Sequence, residues 1–268
     1  PRLCGRMIDK TVSLSEAAAL TPAGSTLALG GMTLYRRPLA FTRALLHENP
    51  AARELTLLCF TAGIESDLLV GAGRVRRVRS CYFGLEAFGL APMFTQAAAA
   101  GAIEIIEESE ASIAFGIRAA LADVGFMPSR AWLGTGLPRL RPDVKTIRDP
   151  YSDDELMAFP AIHCGVAVIH ALRADRAGNA VIGGNPGMDP ELALLAETTL
   201  ITTEKLVEKL EKADIPAPAV QAVALAPQGA LPTSCHPLYP LDGDAILDYI
   251  QRCKAGEFEQ YLQEMFAT

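Results

Sequence analysis

Gly30 and Gly31 close the apolar run Leu27-Ala28-Leu29 within the stretch STLALGGMTLYRRP, residues 25 to 38. Glycine at the end of a buried strand adds no packing. It is favoured where the chain needs an unusual φ or where something must come close to the backbone. The N–H groups of such a pair can face a negative oxygen, aided by the dipole of a helix that starts near Pro38. A tight strand-to-helix turn accounts for the same residues without a ligand, and both readings stay open on the sequence. The stretch is not a P-loop, since no Gly-Lys-Ser/Thr follows, and no Gly-x-Gly-x-x-Gly follows a strand anywhere in the chain.

Other groups could carry chemistry. Glu110 opens a helix at the end of a strand, where a carboxylate gains from the helix dipole. A plain charged first turn is the alternative. Glu86, in FGLEAFG with Gly89, sits just after a strand in a position suited to lining a substrate pocket. Arg74, Arg76, Arg77 and Arg79 alternate along a strand. They suit the phosphates of an anionic ligand, a solvated sheet edge or a subunit contact. His163 and His170 flank an apolar strand and read as hydrogen-bonded core or edge residues. Asp175 and Asn179 fit the chemistry of a turn. The stretch GGNPGMDPE (183–191) is a Gly-rich loop ahead of a helix, an anion site or a plain loop. Six cysteines occur, at 4, 59, 81, 164, 235 and 253, with no C-x-x-C and no Cys/His set at zinc spacing, so no metal site is expected. Cys59, Cys81 and Cys164 lie in apolar runs and read as buried free thiols of a reducing compartment.

These residues need elements to hold them. Ser13 and Glu16 have the spacing of a capping box at the start of a first helix. Strands are expected at 25–31, 54–60, 74–84 and 102–109. Helices are expected at 38–49 with Pro38 at its first position, at 64–73, 92–101 and 110–125. The last of these places Ile113, Ile117, Ala120, Leu121 and Val124 on one face. Strand and helix alternate through the first 125 residues, the signature of βαβ units and a mostly parallel sheet covered on both faces. The second half is less regular. A long strand at 164–175 has a hairpin partner at 178–184. A helix at 189–199 has Asp189 as its N-cap. Strands follow at 199–207 and 219–226, and an amphipathic helix at 243–266.

The chain has 268 residues, half of them hydrophobic and 21% charged, enough for a large core. Its net charge of −7, from 24 basic and 31 acidic residues, argues against a nucleic-acid partner. No run of 18 apolar residues argues for a membrane span, and no apolar signal-peptide core opens the chain, so a cytoplasmic location is expected. Residues 1–6, PRLCGR, look like a non-native leader before Met7. Residues 7–268 carry no repeat or long linker and read as one domain.

The stretch AGSTLALGGMTLYRRP resembles the first signature of the family I coenzyme A transferases. In that signature an acidic residue and Gly precede, after two residues, an apolar trio and Gly-Gly-Phe, with a later Gly and Pro. Gly24, Leu27-Ala28-Leu29, Gly30, Gly31 and Pro38 fall in register. Ala23, Met32 and Arg36 depart from the acidic residue, the Phe and the later Gly, as in the looser glutaconate CoA-transferase α-subunit branch. The stretches YFGLEAFGLAPMF (82–94), GAIEIIEES (101–109), GFMPSRAWLGT (125–135), HALRADRAGNA (170–180) and GALPTSCHPLY (229–239) are similar to that branch in order and span most of the chain.

The resemblance implies an α/β fold with a doubly wound, mostly parallel sheet and some antiparallel strands in the second half. It implies a glutamate nucleophile that takes CoA from an acyl-CoA thioester through a mixed anhydride and passes it to a second acid. Each step passes an oxyanion that backbone N–H donors can stabilise. In the family that glutamate belongs to a β part, in a Ser-Glu-Asn-Gly-like motif. No glutamate here is followed by Asn-Gly. The chain therefore resembles an α subunit, with a β subunit of the same fold as partner in an αβ or α2β2 complex. A CoA thioester is the implied substrate, and no permanently bound cofactor is implied. Gly30, Gly31, Met32, Glu86 and Gly89 are the implied substrate- and CoA-binding residues. The chain is also similar to a transferase-like C–C hydrolase branch, and that likeness implies a working glutamate at the position of Glu110. It keeps hydrolysis of a cyclic or dioxo acyl-CoA as an alternative. A non-catalytic, sugar-phosphate-sensing domain of the same broad fold is a third, but it predicts a fused helix-turn-helix that the sequence lacks.

Overall fold

The computed structural model describes residues 8–267. The expected leader at 1–6, with Cys4, and Met7 lie outside the described residues. In chain order the first half runs β1 (Thr11–Val12), α1 (Leu14–Ala19), β2 (Thr26–Leu29), α2 (Leu39–Glu48), β3 (Leu55–Cys59), α3 (Ile64–Gly71), β4 (Val75–Ser80), α4 (Pro92–Ala99), β5 (Glu104–Glu107) and α5 (Glu110–Leu121). The middle carries β6 (Phe126–Ser129), α6 (Leu137–Leu140), β7 (Lys145–Arg148) and β8 (Glu155–Pro160). The second half runs β9 (Val166–Ala171), β10 (Arg173–Asp175), β11 (Ala180–Val181), α7 (Asp189–Leu195), β12 (Thr198–Thr203), β13 (Leu206–Val207), β14 (Ala222–Leu225), α8 (Gly243–Lys254) and α9 (Phe258–Ala267).

Eight strands form one sheet in the order β1-β14-β12-β9-β2-β3-β4-β5, and every pairing in it is parallel. Its central strands are buried on both faces, which is why β9 reads VAVIHA without polar alternation and is buried throughout. One face packs on α1 to α4, α8 and α9 through Leu27, Leu57, Val168, Leu45, Leu68 and Ile246. The other packs on α5 and α7 through Ala28, Leu58, Ala167, Ile113, Ile117 and Leu192. This is the doubly wound arrangement the alternation of elements predicts. The antiparallel strands of the second half lie outside the main sheet, in the small sheets β11-β10-β13 and β6-β8-β7.

Several boundaries differ from expectation. The run 164–175 is two strands. Leu172 N–H turns to Val181 O, and the chain leaves the main sheet to pair Arg173 with Val181. The run 199–207 likewise divides into β12 and β13. The C-terminal helix breaks around Gly256, whose φ of +80° ends α8. Pro38 is the cap rather than the first residue of α2. Helix α5 stops at Leu121, which with Val124 is part-exposed rather than core. The sheet β6-β8-β7, closed over Trp132, Val144, Met157 and Phe159, is in a region without an expected element. The capping box is present: Glu16 N–H donates to Ser13 Oγ at 3.1 Å, and Ser13 N–H to Glu16 Oε2 at 2.8 Å.

Candidate active site

From β2 the chain steps outward through β3, β4 and β5, whereas β9, β12 and β14 extend the sheet in the opposite direction. The order reverses between β2 and β9, and a crevice opens beyond the carboxyl ends of strands at such a point. Gly30 and Gly31 follow β2 at this point and are themselves buried.

The close approach that these glycines permit is that of Asp189. A Cβ on Gly30 would lie 2.8 Å from Asp189 Oδ1, and one on Gly31 would lie 2.6 Å from Tyr35 O. Gly31 also has φ +86°, a left-handed conformation. Asp189 is the first residue of α7, not its cap. Met188 holds the cap position without a side-chain bond, because the Asp189 carboxylate turns away to accept Gly31 N–H at 2.9 and 3.1 Å. Gly30 N–H donates to Val168 O at 2.9 Å, Met32 N–H to Tyr35 O at 2.9 Å and Thr33 N–H to Thr61 Oγ1 at 2.8 Å. Every N–H from 30 to 33 therefore has an internal acceptor.

Beneath the turn lie Arg36 and Arg37, both fully buried. Arg36 donates to His170 O at 2.8 Å, Asn185 O at 3.0 Å and Asp189 Oδ2 at 3.0 Å. Arg37 donates to Gly31 O at 3.0 Å and is ion-paired with Glu65, which also accepts Ser66 Oγ–H at 2.6 Å. Arg36 stands where the family signature has its later Gly, and its partners identify it as a buried ion-pair residue. Neither guanidinium is free to meet an incoming anion.

His170 joins this network through its ring as well as its carbonyl. Its Nδ1 meets Thr202 Oγ1 at 2.9 Å and its Nε2 meets Glu204 Oε1 at 2.7 Å. Burial holds the imidazole below its ordinary value against the pull of Glu204. Glu204 also accepts Gln228 N–H at 2.7 Å and the Tyr239 hydroxyl. His170, Glu204 and Cys235 bring one nitrogen, one oxygen and one sulfur ligand within 4.8 Å of one another. Of these, His170 and Glu204 are turned to each other as hydrogen-bond partners. Burial, then the Glu204 charge, push the Cys235 thiol up to about 12, away from the thiolate that a metal takes.

At the sheet edge, Glu108 is buried at the end of β5 between Arg79 at 2.6 Å and Arg141 at 2.7 Å and accepts the Ser112 hydroxyl. Glu110, two residues on, is the exposed first residue of α5 behind the cap Ser109, with no ion pair among the described residues. Glu86 is exposed in a single 3-10 turn at φ +52°, and Gly89 follows at φ +102°. Gly89 opens onto a cleft of about 860 Å³ lined by Met93, Ile250 and Phe258 among others. The structure thus sets Gly30, Gly31 and Met32 directly after β2. It sets Glu86 and Gly89 after β4 and Glu110 after β5.

The arginine row divides. Arg74 stands before β4, at the opposite end of the sheet from the crevice, and donates to Leu46 O and Pro50 O. Arg77 pairs with Glu104 on the edge, and Arg79 with Glu108. Asp175 fixes its turn by accepting from Gly178 and Asn179 N–H. Sequence reasoning missed Arg37, Glu65, Glu108, Glu204 and Tyr239. The one signal was the adjacent pair Arg36-Arg37 directly before a proline in an otherwise apolar region.

The model of the coenzyme A transferase family matches residues 11–226. The A-type subunit of the 3-oxoadipate CoA-transferase of Pseudomonas knackmussii is 32% identical over 226 residues, 82% of this chain and 79% of that protein. The cholesterol ring-cleaving hydrolase IpdA subunit of Mycobacterium tuberculosis is 32% identical over 256 residues, 88% of this chain and 85% of that protein. Among solved structures, a variant of the decarboxylase AibA/AibB superposes with a TM-score of 0.91 at 29% identity, over 97% of this chain and 100% of that one. Glutaconate CoA-transferase from Acidaminococcus fermentans superposes with a TM-score of 0.88 at 29% identity, over 97% and 89%.

Proposed function

The chain belongs to the coenzyme A transferase family, and from that premise we propose that it is the A-type subunit of a heteromeric enzyme that moves CoA between an acyl-CoA and a carboxylic acid. A partner subunit completes the site and supplies the nucleophilic carboxylate. One observation carries this reading: the carboxylates beyond the carboxyl ends of the central strands are each held by a partner within the fold, and none is exposed. Asp189 holds Gly31 and Arg36, Glu65 holds Arg37, and Glu204 holds His170 and Tyr239. A carboxylate that must attack a thioester needs an oxygen open to the substrate. Glu65 Oε2 has no hydrogen-bond partner among the described residues but is fully buried, so the attacking group comes from the partner side of the crevice. Gly30, Gly31 and Met32 line this chain's side of it. Glu86 and Gly89 extend the contact surface along the loop after β4. Residues 7–268 act as one domain.

The exposed carboxylate of Glu110 favours a second reading, ring-opening C–C hydrolysis of an acyl-CoA with Glu110 as the acting group, in line with the ring-cleaving hydrolase relative. The two readings part in one assay on the complex co-expressed with its partner. Acyl-CoAs are supplied first without and then with an acceptor acid, and free CoA, new acyl-CoA and released CO2 are followed. Acyl exchange that needs the acceptor and survives Glu110→Gln supports transfer. Reaction with water alone that Glu110→Gln abolishes supports hydrolysis. CO2 release defeats both.

A further inference from the structure

Two buried ion pairs grip a single peptide turn from opposite sides. Asp189, held by Arg36, takes the N–H of Gly31, and Arg37, held by Glu65, takes its carbonyl. The two arginines are neighbours in sequence, so the chain that leaves the turn folds back beneath it and supplies both arms. The arms reach different elements. Asp189 begins α7, and Arg36 also bonds the end of β9 and the loop at Asn185, all on one side of the order reversal. Glu65 lies in the first turn of α3, on the other side.

Stability alone does not account for this arrangement. Burying two ion pairs has a desolvation cost that apolar residues of similar volume avoid. Arg36 Nε, Arg37 Nε and Glu65 Oε2 moreover have no hydrogen-bond partner among the described residues, which adds to that cost. What the pairs achieve is geometric. They fix the turn against both halves of the sheet at the point where those halves diverge.

We propose that Arg36, Arg37, Glu65 and Asp189 are positioning residues of the reaction, acting as a clamp that sets the Gly30–Met32 turn against the substrate. This rests on the crevice being the reaction site, as proposed above. The clamp makes no contact with substrate. Its loss therefore shows in turnover rather than in acyl-CoA affinity.

The test uses the co-expressed complex with two uncharged pairs, Arg36→Met/Asp189→Asn and Arg37→Met/Glu65→Gln, which avoid leaving a lone buried charge. A control of similar structural cost is Asn49→Ala. It removes three bonds at the opposite end of the sheet: those the side-chain amide donates to Ala18 O and Thr21 O, and the one its oxygen accepts from Ala52 N–H. Each clamp variant is expected to lower kcat by about 10- to 100-fold, the scale of a small misplacement at a reacting centre, with KM for acyl-CoA within about threefold. Arg36→Lys, which keeps charge but loses the fork, is expected to fall in the same direction. Hydrogen exchange at the Gly31 amide accelerates in the clamp variants and not in the control. Clamp variants that fold and keep kcat within about twofold of the control overturn the proposal. So does unchanged exchange at Gly31, which also decides the case for a variant that folds poorly. A wild-type complex that turns over no acyl-CoA defeats the reading above, while Gly31 exchange then still decides the clamp.

Discussion

Two groups of buried carboxylates stand side by side in this fold and are treated differently. At the crevice, Glu65 and Asp189 each face a buried arginine. Two residues along α3 from Glu65, Asp67 is as deeply buried but faces no cation. It accepts Phe94 N–H at 2.6 Å, Met93 N–H at 3.2 Å and the Tyr249 hydroxyl at 2.6 Å, capping α4, which has no side-chain cap of its own. Burial pushes its carboxyl up to about 6 against those bonds. Where α3, α4 and α8 meet, the carboxylate is matched by dipoles and can take up a proton. Where the Gly30–Gly31 turn is fixed, charge is matched by charge, although burial still pushes the Asp189 carboxyl above its ordinary value against the pull of Arg36.

The largest effect expected from this contrast is on Glu65→Gln. It leaves Arg37 charged, buried and unpaired, a change that costs about 3–5 kcal/mol. Denaturant unfolding of the chain checks it. Asp67→Asn removes a buried charge that has no counterion, so it should cost less than about 1 kcal/mol at neutral pH. Equal losses at the two positions would remove the distinction.

Gly31→Ala and Gly89→Ala carry the comparison from side chains to backbone. Both glycines have positive φ, at +86° and +102°. A Cβ on Gly31 strikes Tyr35 O and Arg36 O at 2.6 and 2.7 Å, whereas one on Gly89 meets nothing within 4 Å. Gly89→Ala should cost about 1–3 kcal/mol, the conformational strain alone. Gly31→Ala adds a backbone collision and should exceed it by at least about 1 kcal/mol. Thermal unfolding of the two variants ranks them.

Asp67 also carries a pH dependence of its own. Asp67 has a native value raised from 3.8 to about 6. Between those values the native state keeps a proton that the unfolded chain has released, so stability falls as pH rises through that window. The fall amounts to about 3 kcal/mol, complete above pH 6. Asp67→Asn should flatten that part of the stability–pH curve, read by denaturant midpoints from pH 4 to 7. A slope that survives the substitution would move the proton to another group.

This contrast also explains what the sequence could reveal. The βαβ order, the sheet covered on both faces and the Gly30–Gly31 turn are local or periodic signals. Apolar runs mark strands, Ser13 and Glu16 mark a cap, and a glycine pair marks a turn. The clamp is not local. Asp189 lies 158 residues from Gly31, and its position after Gly-Met reads as a helix cap because that is the commonest task of an aspartate there. Glu65 and Asp67 are two residues apart in IESD and carry no sign of which one meets an arginine. The sheet β6-β8-β7 was hidden by Pro128, Pro138 and Pro142 and by loops as long as its strands.

The smallest structural effect is expected at Glu110, and for that reason it separates the two readings of function most sharply. Its neighbour Glu108 is buried between Arg79 and Arg141, so Glu108→Gln should unsettle the edge of the sheet by about 1–3 kcal/mol. Glu110 is exposed, and Glu110→Gln should stay within about 0.5 kcal/mol of the parent. Any change in rate is then a change in chemistry rather than in folding. A loss of water-dependent turnover of about 100-fold or more would place an acting acid or base on this chain. An unaltered acceptor-dependent exchange would leave the carboxylates of this chain as scaffold, and the attack to the partner across the crevice.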